Sequence, residues 1–299
     1  MRKPIIVITG PTACGKTALS VRVAKALDGE IVCTDSMQIY RGMDIGTAKV
    51  RPEEMEGIPH HLVDFVPPES AYSVAEFQRD ARAVIEEIYA RGKVPILVGG
   101  TGLYINAVLY PMTFKEYDPS IRAEIEEEFR IYGREYMYEK LLALAPEMAA
   151  KLSVNDVKRV TRALELVAAG ESHNREDVDK EPLYPHLLFV LHDDRAKLYE
   201  RINERVDVMI KEGLLAEVKG LLDAGVPADA QSFQAIAYKE LAAYFAGKYT
   251  IEEAIELIKK RSRNYAKRQL TWFRGCHNAK WIMRGEDNLE EILRTWNNI

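Results

Sequence analysis

The chain has 299 residues, of which 47% are hydrophobic and 29% charged, and its formal net charge is −5. An acidic globular chain of this kind excludes a protein that coats nucleic acid with its whole surface, although a local basic face remains compatible with RNA. No apolar run reaches the length of a membrane-spanning helix, so we expect a cytoplasmic protein that makes no contact with a membrane.

The first predicted strand leads into a glycine-rich loop. Ile5–Thr9 is an apolar run that predicts a buried strand, and residues 16–27 favour a helix. Between them, GPTACGKT matches the phosphate-binding pattern GxxxxGK[ST] at each fixed position. The glycines let the loop turn its amides inward, the lysine supplies a positive charge, and the threonine offers a hydroxyl to Mg²⁺. The predicted phosphate-binding residues are Gly10, Pro11, Thr12, Ala13, Cys14, Gly15, Lys16 and Thr17, with Thr17 as the metal ligand.

The second predicted strand, Glu30–Thr34, ends at Asp35. Ligands of open parallel sheets bind at the carboxyl edge, so we expect this carboxylate beside the phosphate loop. Its alternative roles are a helix N-cap or a water-mediated ligand of Mg²⁺. The segment 35–49 mixes donors, acceptors and glycine turns, which favours a surface that reads a planar polar ligand over a core element. The Gln38 amide suits an adenine edge because it can donate and accept at once.

A second glycine cluster follows the predicted strand Pro95–Val98. The helix 74–89 precedes this strand, and the repeated strand–helix alternation predicts a buried parallel sheet. Gly99, Gly100 and Gly102 surround Thr101 at the start of another helix. A turn needs fewer glycines, so we interpret the cluster as a close approach of backbone to ligand, with the Thr101 hydroxyl exposed.

The chain from residue 115 to 182 contains helical patterns without strand signals, and the strand pattern resumes at Leu187–Leu191. Three long helices and a short strand at Lys280–Met283 follow. We predict an α/β fold with a P-loop NTPase-like parallel sheet flanked by helices, made of residues 1–114 and 183–299. An all-helical subdomain is inserted over residues 115–182.

Two basic faces are predicted. Lys158, Arg159 and Arg162 fall on one side of a helix in the insertion, opposite an apolar stripe. Near the end, KKRSRNYAKRQLTWFR carries seven Lys or Arg residues, no acid and three aromatic residues. A solvated helix face is the usual meaning of such a run, but seven unopposed cations in an acidic chain favour contact with a polyanion.

Several segments together resemble the tRNA dimethylallyltransferases, also called tRNA isopentenyltransferases. In the family's order they are GPTACGKT, DSMQIYRGMDIGTAK, GIPHHLVDFVPP with AYSVAEFQRDA, ILVGGTGLYI, NDVKRVTRALE, QAIAYKEL and AKRQLTWFRG. The resemblance implies transfer of the dimethylallyl group from dimethylallyl diphosphate to the exocyclic N6 amine of the adenosine 3′ to the anticodon in tRNA. It also implies that the phosphate loop grips the diphosphate with Mg²⁺. The sequence lacks the zinc-finger tail of the eukaryotic members, which fits a bacterial-type enzyme.

The same resemblance implies roles for individual residues. Lys16 would stabilise the departing diphosphate, Asp35 would accept the proton of the amine, and Thr101 would hold that amine in line. The implied partner is the tRNA anticodon stem-loop, contacted by a monomeric enzyme through Asp35, Ser36, Met37, Gln38, Thr101, Arg122, Lys158, Arg159, Val160, Thr161, Arg162, Gln234 and Lys239. Some members carry glycine where this chain has Ala237, and we expect alanine to hold the backbone at negative φ there.

Three other functions share parts of these patterns. A P-loop kinase for a small molecule would also need Lys16 and Asp35, but it would not need the basic faces. An adenylate isopentenyltransferase, which acts on free nucleotides, would not need the helical insertion with its cations. An RNA-binding module without catalytic activity would leave Lys16 and Asp35 without a purpose.

Overall fold

The structure is a computed structural model that describes residues 4–114, 119–170, 181–276, 278–285 and 287–298. It divides into two compact units. The first consists of Met1–Tyr110 and Pro182–Ile299, and the second of Pro111–Glu181, which overlaps the predicted insertion at 115–182. Within the first unit, the Leu183 N–H donates to the Leu109 carbonyl at 2.7 Å. This bond joins the two chain segments between which the second unit is inserted.

The first unit is built on one parallel sheet, as predicted from the strand–helix alternation. Its strand order is β3-β2-β4-β1-β5-β6, and each neighbouring pair is parallel. The strands are β1 Ile5–Thr9, β2 Gly29–Cys33, β3 His60–His61, β4 Val94–Val98, β5 His186–His192 and β6 Ala279–Met283. Because the strands are parallel, the loops that follow their carboxyl ends meet at one edge of the sheet.

The apolar runs form strands that are covered on both faces. In β1, Ile5 and Val7 pack into one core cluster and Ile6 and Ile8 into another, and all four are fully buried. Successive side chains of a strand point to opposite faces, so each face needs an apolar residue at alternate positions. The continuous apolar run therefore marks a central strand of a two-sided sheet.

The helices surround the sheet or form the second unit. In chain order they are α1 Lys16–Leu27, α2 Pro52–Met55, α3 Val74–Ala90, α4 Gly102–Leu109, α5 Pro119–Leu144, α6 Pro146–Ala149, α7 Val157–Ala168, α8 Arg195–Glu212, α9 Leu214–Asp223, α10 Tyr238–Phe245, α11 Ile251–Arg274 and α12 Asn288–Asn297. Capping boxes begin α3 at Ser73 and α11 at Thr250. Among the described residues, no helix is long and apolar enough to cross a membrane.

The second unit has its own small core. Helix α5 is kinked at Gly133, whose φ is 79°. Ile125, Leu141, Leu164 and Val160 are buried together in this unit. Val160 is 0% exposed, so its side chain is not on the surface of this unit, and its contact with tRNA stays a prediction. The residue lies on the apolar stripe of α7 and its side chain is used in packing.

The backbone at Ala237 contradicts the expectation of negative φ. Its φ is 83° and its ψ is −49°. The Ala237 N–H donates to Oε2 of Glu240 at 2.7 Å, and the 1%-exposed Glu240 also pairs with Arg261. This buried carboxylate holds the turn in a region that an L-residue disfavours, because the alternative leaves the buried Ala237 N–H unpaired.

Replacing Ala237 by glycine is expected to raise the free energy of unfolding by about 1 kcal/mol, since relief of the positive φ outweighs the chain entropy of glycine. Urea denaturation measures the change. The control is Ala235→Gly, because Ala235 is also buried but has a φ of −59°. Ala235→Gly should lower the free energy of unfolding. An equal decrease in Ala237→Gly would show that the backbone at residue 237 is not strained.

Candidate active site

Three loops meet at the carboxyl edge of the sheet. The phosphate loop follows β1, the Asp35 turn follows β2, and the turn at Gly99–Thr101 follows β4. Since β4 lies between β1 and β2, the Thr101 turn separates Asp35 from the phosphate loop. The Asp35 turn is therefore not the immediate neighbour of the phosphate loop along the sheet edge, although the charge of Asp35 still acts on Lys16. Thr101 occupies the middle position between them.

The phosphate loop has the backbone geometry that its glycines allow. Gly10 and Gly15 have φ values of 136° and 85°, where other residues are strained. A Cβ atom on Gly10 would lie 2.3 Å from the carbonyl oxygen of Leu191 in β5. Gly10 is therefore required both by its dihedral angle and by its contact with the neighbouring strand.

Lys16 lies inside the loop. Its Nζ donates to the carbonyl oxygens of Gly10 at 3.0 Å and Pro11 at 2.8 Å. Burial lowers the pKa of Lys16 to about 8, and the nearby charge of Asp35 opposes that shift. Its side chain is therefore mainly cationic at neutral pH and places a positive charge inside the loop.

Three arginines around the loop were not predicted from the sequence. The Arg201 Nε donates to the Ala13 carbonyl at 3.1 Å, and its guanidinium pairs with Asp193 at 2.6 Å. Arg205 donates to the Thr12 hydroxyl at 3.2 Å, and the Arg284 side chain lies beside Gly15. The i,i+4 spacing of Arg201 and Arg205 on α8 was the available sequence signal, since it places both on one helix face.

Asp35 combines a structural role with an available oxygen. Its Oδ1 accepts hydrogen bonds from the backbone N–H groups of Met37 at 2.9 Å and Gln38 at 3.4 Å. These bonds form the cap-like turn considered as one alternative. Within the part of the chain that the structure describes, Oδ2 makes no hydrogen bond, so this oxygen is open to a ligand.

Thr101 is linked to the Asp35 turn. Its hydroxyl oxygen accepts from the Ser36 N–H at 3.2 Å and lies 3.4 Å from the Ser36 hydroxyl. Its own N–H donates to the Thr34 carbonyl at 3.2 Å. The Tyr265 hydroxyl, on α11, is within hydrogen-bonding reach of Thr101. The structure thus brings Asp35, Ser36 and Thr101 together, as the predicted site requires.

The glycines around Thr101 are explained by packing within the protein. A Cβ atom on Gly99 would lie 2.4 Å from Thr34. On Gly100 it would lie 2.1 Å from the side-chain nitrogen of Gln269, and on Gly102 2.1 Å from the ring nitrogen of Trp272. Close approach of Thr34 and of α11 therefore accounts for these glycines, and their contact with a ligand stays a prediction.

The segment 35–49 is held by the core rather than free to read a ligand. Ile39, Tyr40 and Met43 are fully buried. The Gln38 amide donates to the carbonyl oxygens of Thr47 at 3.1 Å and Ala48 at 3.3 Å. The side chain predicted to read adenine therefore stabilises its own segment, and its contact with a base stays a prediction.

The residues predicted to contact tRNA occupy two separate places. In the second unit, Arg122, Arg159 and Arg162 pair with acids on their own elements at 2.9, 3.4 and 2.8 Å, Lys158 is exposed, and Thr161 is half-buried. In the first unit, the Lys239 Nζ donates to Oε1 of Gln234 at 3.1 Å. The Arg122–Glu126 and Arg159–Asp156 pairs are solvent-accessible and therefore weak, so these two arginines can exchange their partners for phosphates. Arg162 pairs with the buried Glu165 and is held more firmly.

Part of the basic run in α11 has an intramolecular role. Lys259 pairs with Asp207 at 2.8 Å, Arg261 pairs with Glu240, and Arg263 donates to Asn203. These contacts fasten α11 to α8 and α10. Three of the seven predicted cations thus have partners within the protein. The other four, which are exposed, are Lys260, Lys267, Arg268 and Arg274, and their contact with a polyanion stays a prediction.

The residues near the phosphate loop fit a magnesium ion that is coordinated mainly by water and by phosphate oxygens of a bound compound. Across the described ranges, no group of three or more His, Cys, Asp or Glu side chains is placed to hold a metal. Thr17 lies in the first turn of α1, directly after Lys16. Mg²⁺ commonly keeps its waters and binds through one or two protein groups and phosphate oxygens, so a single hydroxyl beside a phosphate loop is compatible with it.

The chain matches known proteins over nearly its whole length. Residues 38–276 match the family model described as IPP transferase, and residues 3–66 match the model described as isopentenyl transferase. The tRNA dimethylallyltransferase of Exiguobacterium sp. is 50% identical over 291 residues, which cover 97% of this chain and 93% of the relative. The chain belongs to the tRNA dimethylallyltransferase family.

Other members of the family agree in sequence and in structure. The tRNA dimethylallyltransferase of Bacillus subtilis is 50% identical over 94% of this chain and 91% of its own length. The crystal structure of the Bacillus halodurans tRNA isopentenylpyrophosphate transferase has a TM-score of 0.74 at 45% identity, covering 100% of this chain and 95% of that one. A eukaryotic dimethylallyltransferase acting on tRNA has a TM-score of 0.79 at 28% identity, covering 98% and 77%.

Proposed function

We propose that this protein transfers the dimethylallyl group from dimethylallyl diphosphate to the N6 amine of the adenosine 3′ to the anticodon in tRNA. The products are N6-isopentenyladenosine and diphosphate. The observation that carries the proposal is the meeting of the phosphate loop, Thr101 and Asp35 at one sheet edge, in a member of the tRNA dimethylallyltransferase family. The enzyme acts as a monomer in the cytoplasm, where its tRNA substrate is found.

The phosphate loop binds the leaving group. Lys16 and the amides of Gly15 and Thr17 stabilise the negative charge on the departing diphosphate, and Arg201 and Arg205 lie against the outside of the loop. The allylic carbon gains positive character as its bond to oxygen stretches. Preorganised charges at such a leaving group act mainly on the transition state, so electrostatic stabilisation supplies most of the catalysis.

Thr17 would hold Mg²⁺ together with oxygens of the diphosphate. When bound, the ion supplies positive charge to the leaving group. Because Thr17 directly follows Lys16 in the first turn of α1, the same backbone segment carries both groups. The protein thereby organises the charge around the diphosphate without a cage of carboxylates.

The acceptor amine is activated at the Thr101 and Asp35 turns. The lone pair of the adenine amine is delocalised into its ring, so the amine is a weak nucleophile. Oδ2 of Asp35 accepts its proton as the new carbon–nitrogen bond forms, and the Thr101 hydroxyl holds the amine in line with the allylic carbon. Ser36 and Met37 line the base pocket, whose contacts must offset the few kcal/mol that extrusion of the base costs.

Mass spectrometry of anticodon-loop nucleosides tests this function. The protein is incubated with unmodified tRNA and dimethylallyl diphosphate, and N6-isopentenyladenosine is expected at the position 3′ to the anticodon. Prenylated AMP in a parallel reaction with free AMP, and none in tRNA, would establish the adenylate isopentenyltransferase instead. Formation of ADP from ATP and a small acceptor, without prenyl transfer, would establish the kinase.

The basic face of α7 is expected to contribute to tRNA affinity. Replacing Lys158, Arg159 and Arg162 by alanine should weaken binding and make the plot of log Kd against log salt less steep by about 2 to 3, because each lost phosphate contact lowers the slope by roughly 0.7–0.9. Filter binding at several salt concentrations measures both quantities.

The control for this face removes the same charge elsewhere. Lys25, Lys93 and Lys219 pair with Glu56, Asp28 and Asp223 on the first unit, and their triple alanine variant should retain the wild-type salt slope. An unchanged slope in the α7 variant would exclude phosphate contact by that helix.

A further inference from the structure

One face of α11 packs directly behind the turn that carries Thr101. Tyr265, Gln269 and Trp272 are spaced four and three residues apart, which places them on the same side of the helix. Tyr265 reaches Thr101, Gln269 contacts Gly100, and Trp272 packs on Gly102. The segment AKRQLTWFR therefore supplies support to the reaction centre in addition to its exposed cations.

Gln269 connects two of the three loops at the reaction centre. Its Oε1 accepts from the N–H of Thr12 in the phosphate loop at 3.0 Å. Its Nε2 donates to the carbonyl oxygen of Gly100 at 3.1 Å. The side chain is only 5% exposed, so these bonds are not exchanged readily with water. One planar amide thus fixes the position of the phosphate loop relative to the residue that precedes Thr101.

We propose that Gln269 is a positioning residue that sets the spacing between the leaving group and the acceptor amine. The inference rests on the proposed function: the diphosphate is held by the loop that contains Thr12, and the amine by the turn that contains Thr101. Displacement of reacting groups by about 1 Å can lower the rate roughly a hundredfold, even when both substrates still bind. Gln269 acts on the rate through these two loops and does not itself touch the reacting atoms.

The oxygen of the Gln269 amide accepts a hydrogen bond and its nitrogen donates one. Replacing the amide by a carboxylate keeps the acceptor and removes the donor. In Gln269→Glu, one oxygen can still accept from the Thr12 N–H, but the other faces the Gly100 carbonyl and repels it. A buried carboxylate beside a carbonyl oxygen has a raised pKa, and its protonated form can donate to that carbonyl. The variant should therefore regain the second bond as the pH falls. The Tyr265 hydroxyl also lies within hydrogen-bonding reach of the Gln269 side chain; burial raises the pKa of Tyr265, so it stays neutral between pH 6 and 8 and does not cause the expected pH dependence.

Steady-state kinetics of tRNA prenylation tests the inference. For Gln269→Glu at pH 8, kcat is expected to fall by at least about 30-fold while KM for both substrates stays within about 3-fold, since geometry is altered more than binding. The deficit relative to wild type should shrink at pH 6. A fixed deficit at both pH values, or a kcat within 3-fold of wild type, overturns the inference.

A control outside the proposed site is Gln231→Glu, at an exposed position, whereas Gln269 is buried. The Gln231 amide makes the same kind of paired bonds, accepting from the Tyr72 N–H at 3.1 Å and donating to the Tyr72 carbonyl at 2.9 Å. It is not part of the proposed site, so its kcat should remain within 2-fold of wild type at both pH values. An equal, pH-dependent loss in the control overturns the specific role of Gln269.

A second variant tests the same contact without changing Gln269. A Cβ atom in Gly100→Ala would lie 2.1 Å from Nε2 and displace the amide. The effects of Gly100→Ala and Gln269→Glu on kcat should be less than additive, because both variants disrupt the same contact between Gln269 and Gly100. Full additivity overturns the inference. Where the glutamate variant folds poorly, a kcat of Gly100→Ala within 3-fold of wild type overturns it instead. Absence of prenyl transfer by the wild type would instead refute the proposed function.

Discussion

Replacing Lys16 by alanine is expected to lower kcat several hundredfold while tRNA binding is retained. One preorganised charge at a leaving group contributes about 3–4 kcal/mol to the transition state. In the structure the ammonium group contacts the Gly10 and Pro11 carbonyl oxygens inside the loop, so its loss removes charge where the diphosphate is to bind. Single-turnover prenylation and tRNA binding measure the two effects separately.

The control is Lys25→Ala on the same helix. Lys25 is exposed and pairs with Glu56, so its loss should leave turnover within 2-fold of wild type. Unimpaired turnover in Lys16→Ala would remove the phosphate loop from the mechanism. Loss of tRNA binding together with turnover would show that Lys16 maintains the fold of the site instead.

Asp35→Asn should lower kcat by about 10²–10⁴-fold, the usual contribution of a positioned proton acceptor. The structure makes this substitution informative, because the asparagine oxygen can still accept from the N–H groups of Met37 and Gln38. The turn is therefore expected to persist, and binding of both substrates with it. What is lost is the anionic Oδ2, which can accept a proton from the amine.

Asp194→Asn provides the matched control for this change. Asp194 accepts from the N–H groups of Ala196 and Lys197 at the start of α8, in the same local geometry as Asp35. The control should therefore reproduce the loss of charge at a capping carboxylate without loss of turnover. If Asp35→Asn instead abolishes binding of either substrate, Asp35 is a structural group or a ligand of Mg²⁺.

Features that depend on local sequence were predictable. The apolar run of β1 and the octapeptide that follows it specify a buried strand, a tight turn and a helix start within about 20 residues of chain, and the structure has all three. The absence of strand signals after residue 115 likewise indicated a separate helical unit, which the structure divides from the rest at Pro111 and Glu181.

Features that depend on the order of strands and on helix packing were not predictable from the sequence. The carboxyl-edge rule predicted Asp35 beside the phosphate loop, but it does not give the order of the strands. β4 lies between β1 and β2, and no local pattern encodes that pairing. The glycines near Thr101 looked like ligand contacts because their true neighbours, Gln269 and Trp272, are about 170 residues away in the chain.

The dihedral angle of Ala237 was mispredicted for a related reason. Alanine disfavours positive φ, but the buried Glu240 carboxylate holds the backbone there through a tertiary ion pair with Arg261. Tertiary contacts thus override the intrinsic preference of one residue. Arg201 and Arg205 were overlooked because a basic helix face is common, and only the fold brings it to Ala13 and Thr12.

The strand order also governs when the enzyme becomes competent during its synthesis. β1 lies between β4 and β5, so its second flank is paired only after residues 186–192 have left the ribosome. The Gln269 contact requires a still later segment. The nascent chain therefore carries Lys16, Asp35 and Thr101 early, yet ribosome-bound intermediates should lack turnover and present an open β1 flank to chaperones.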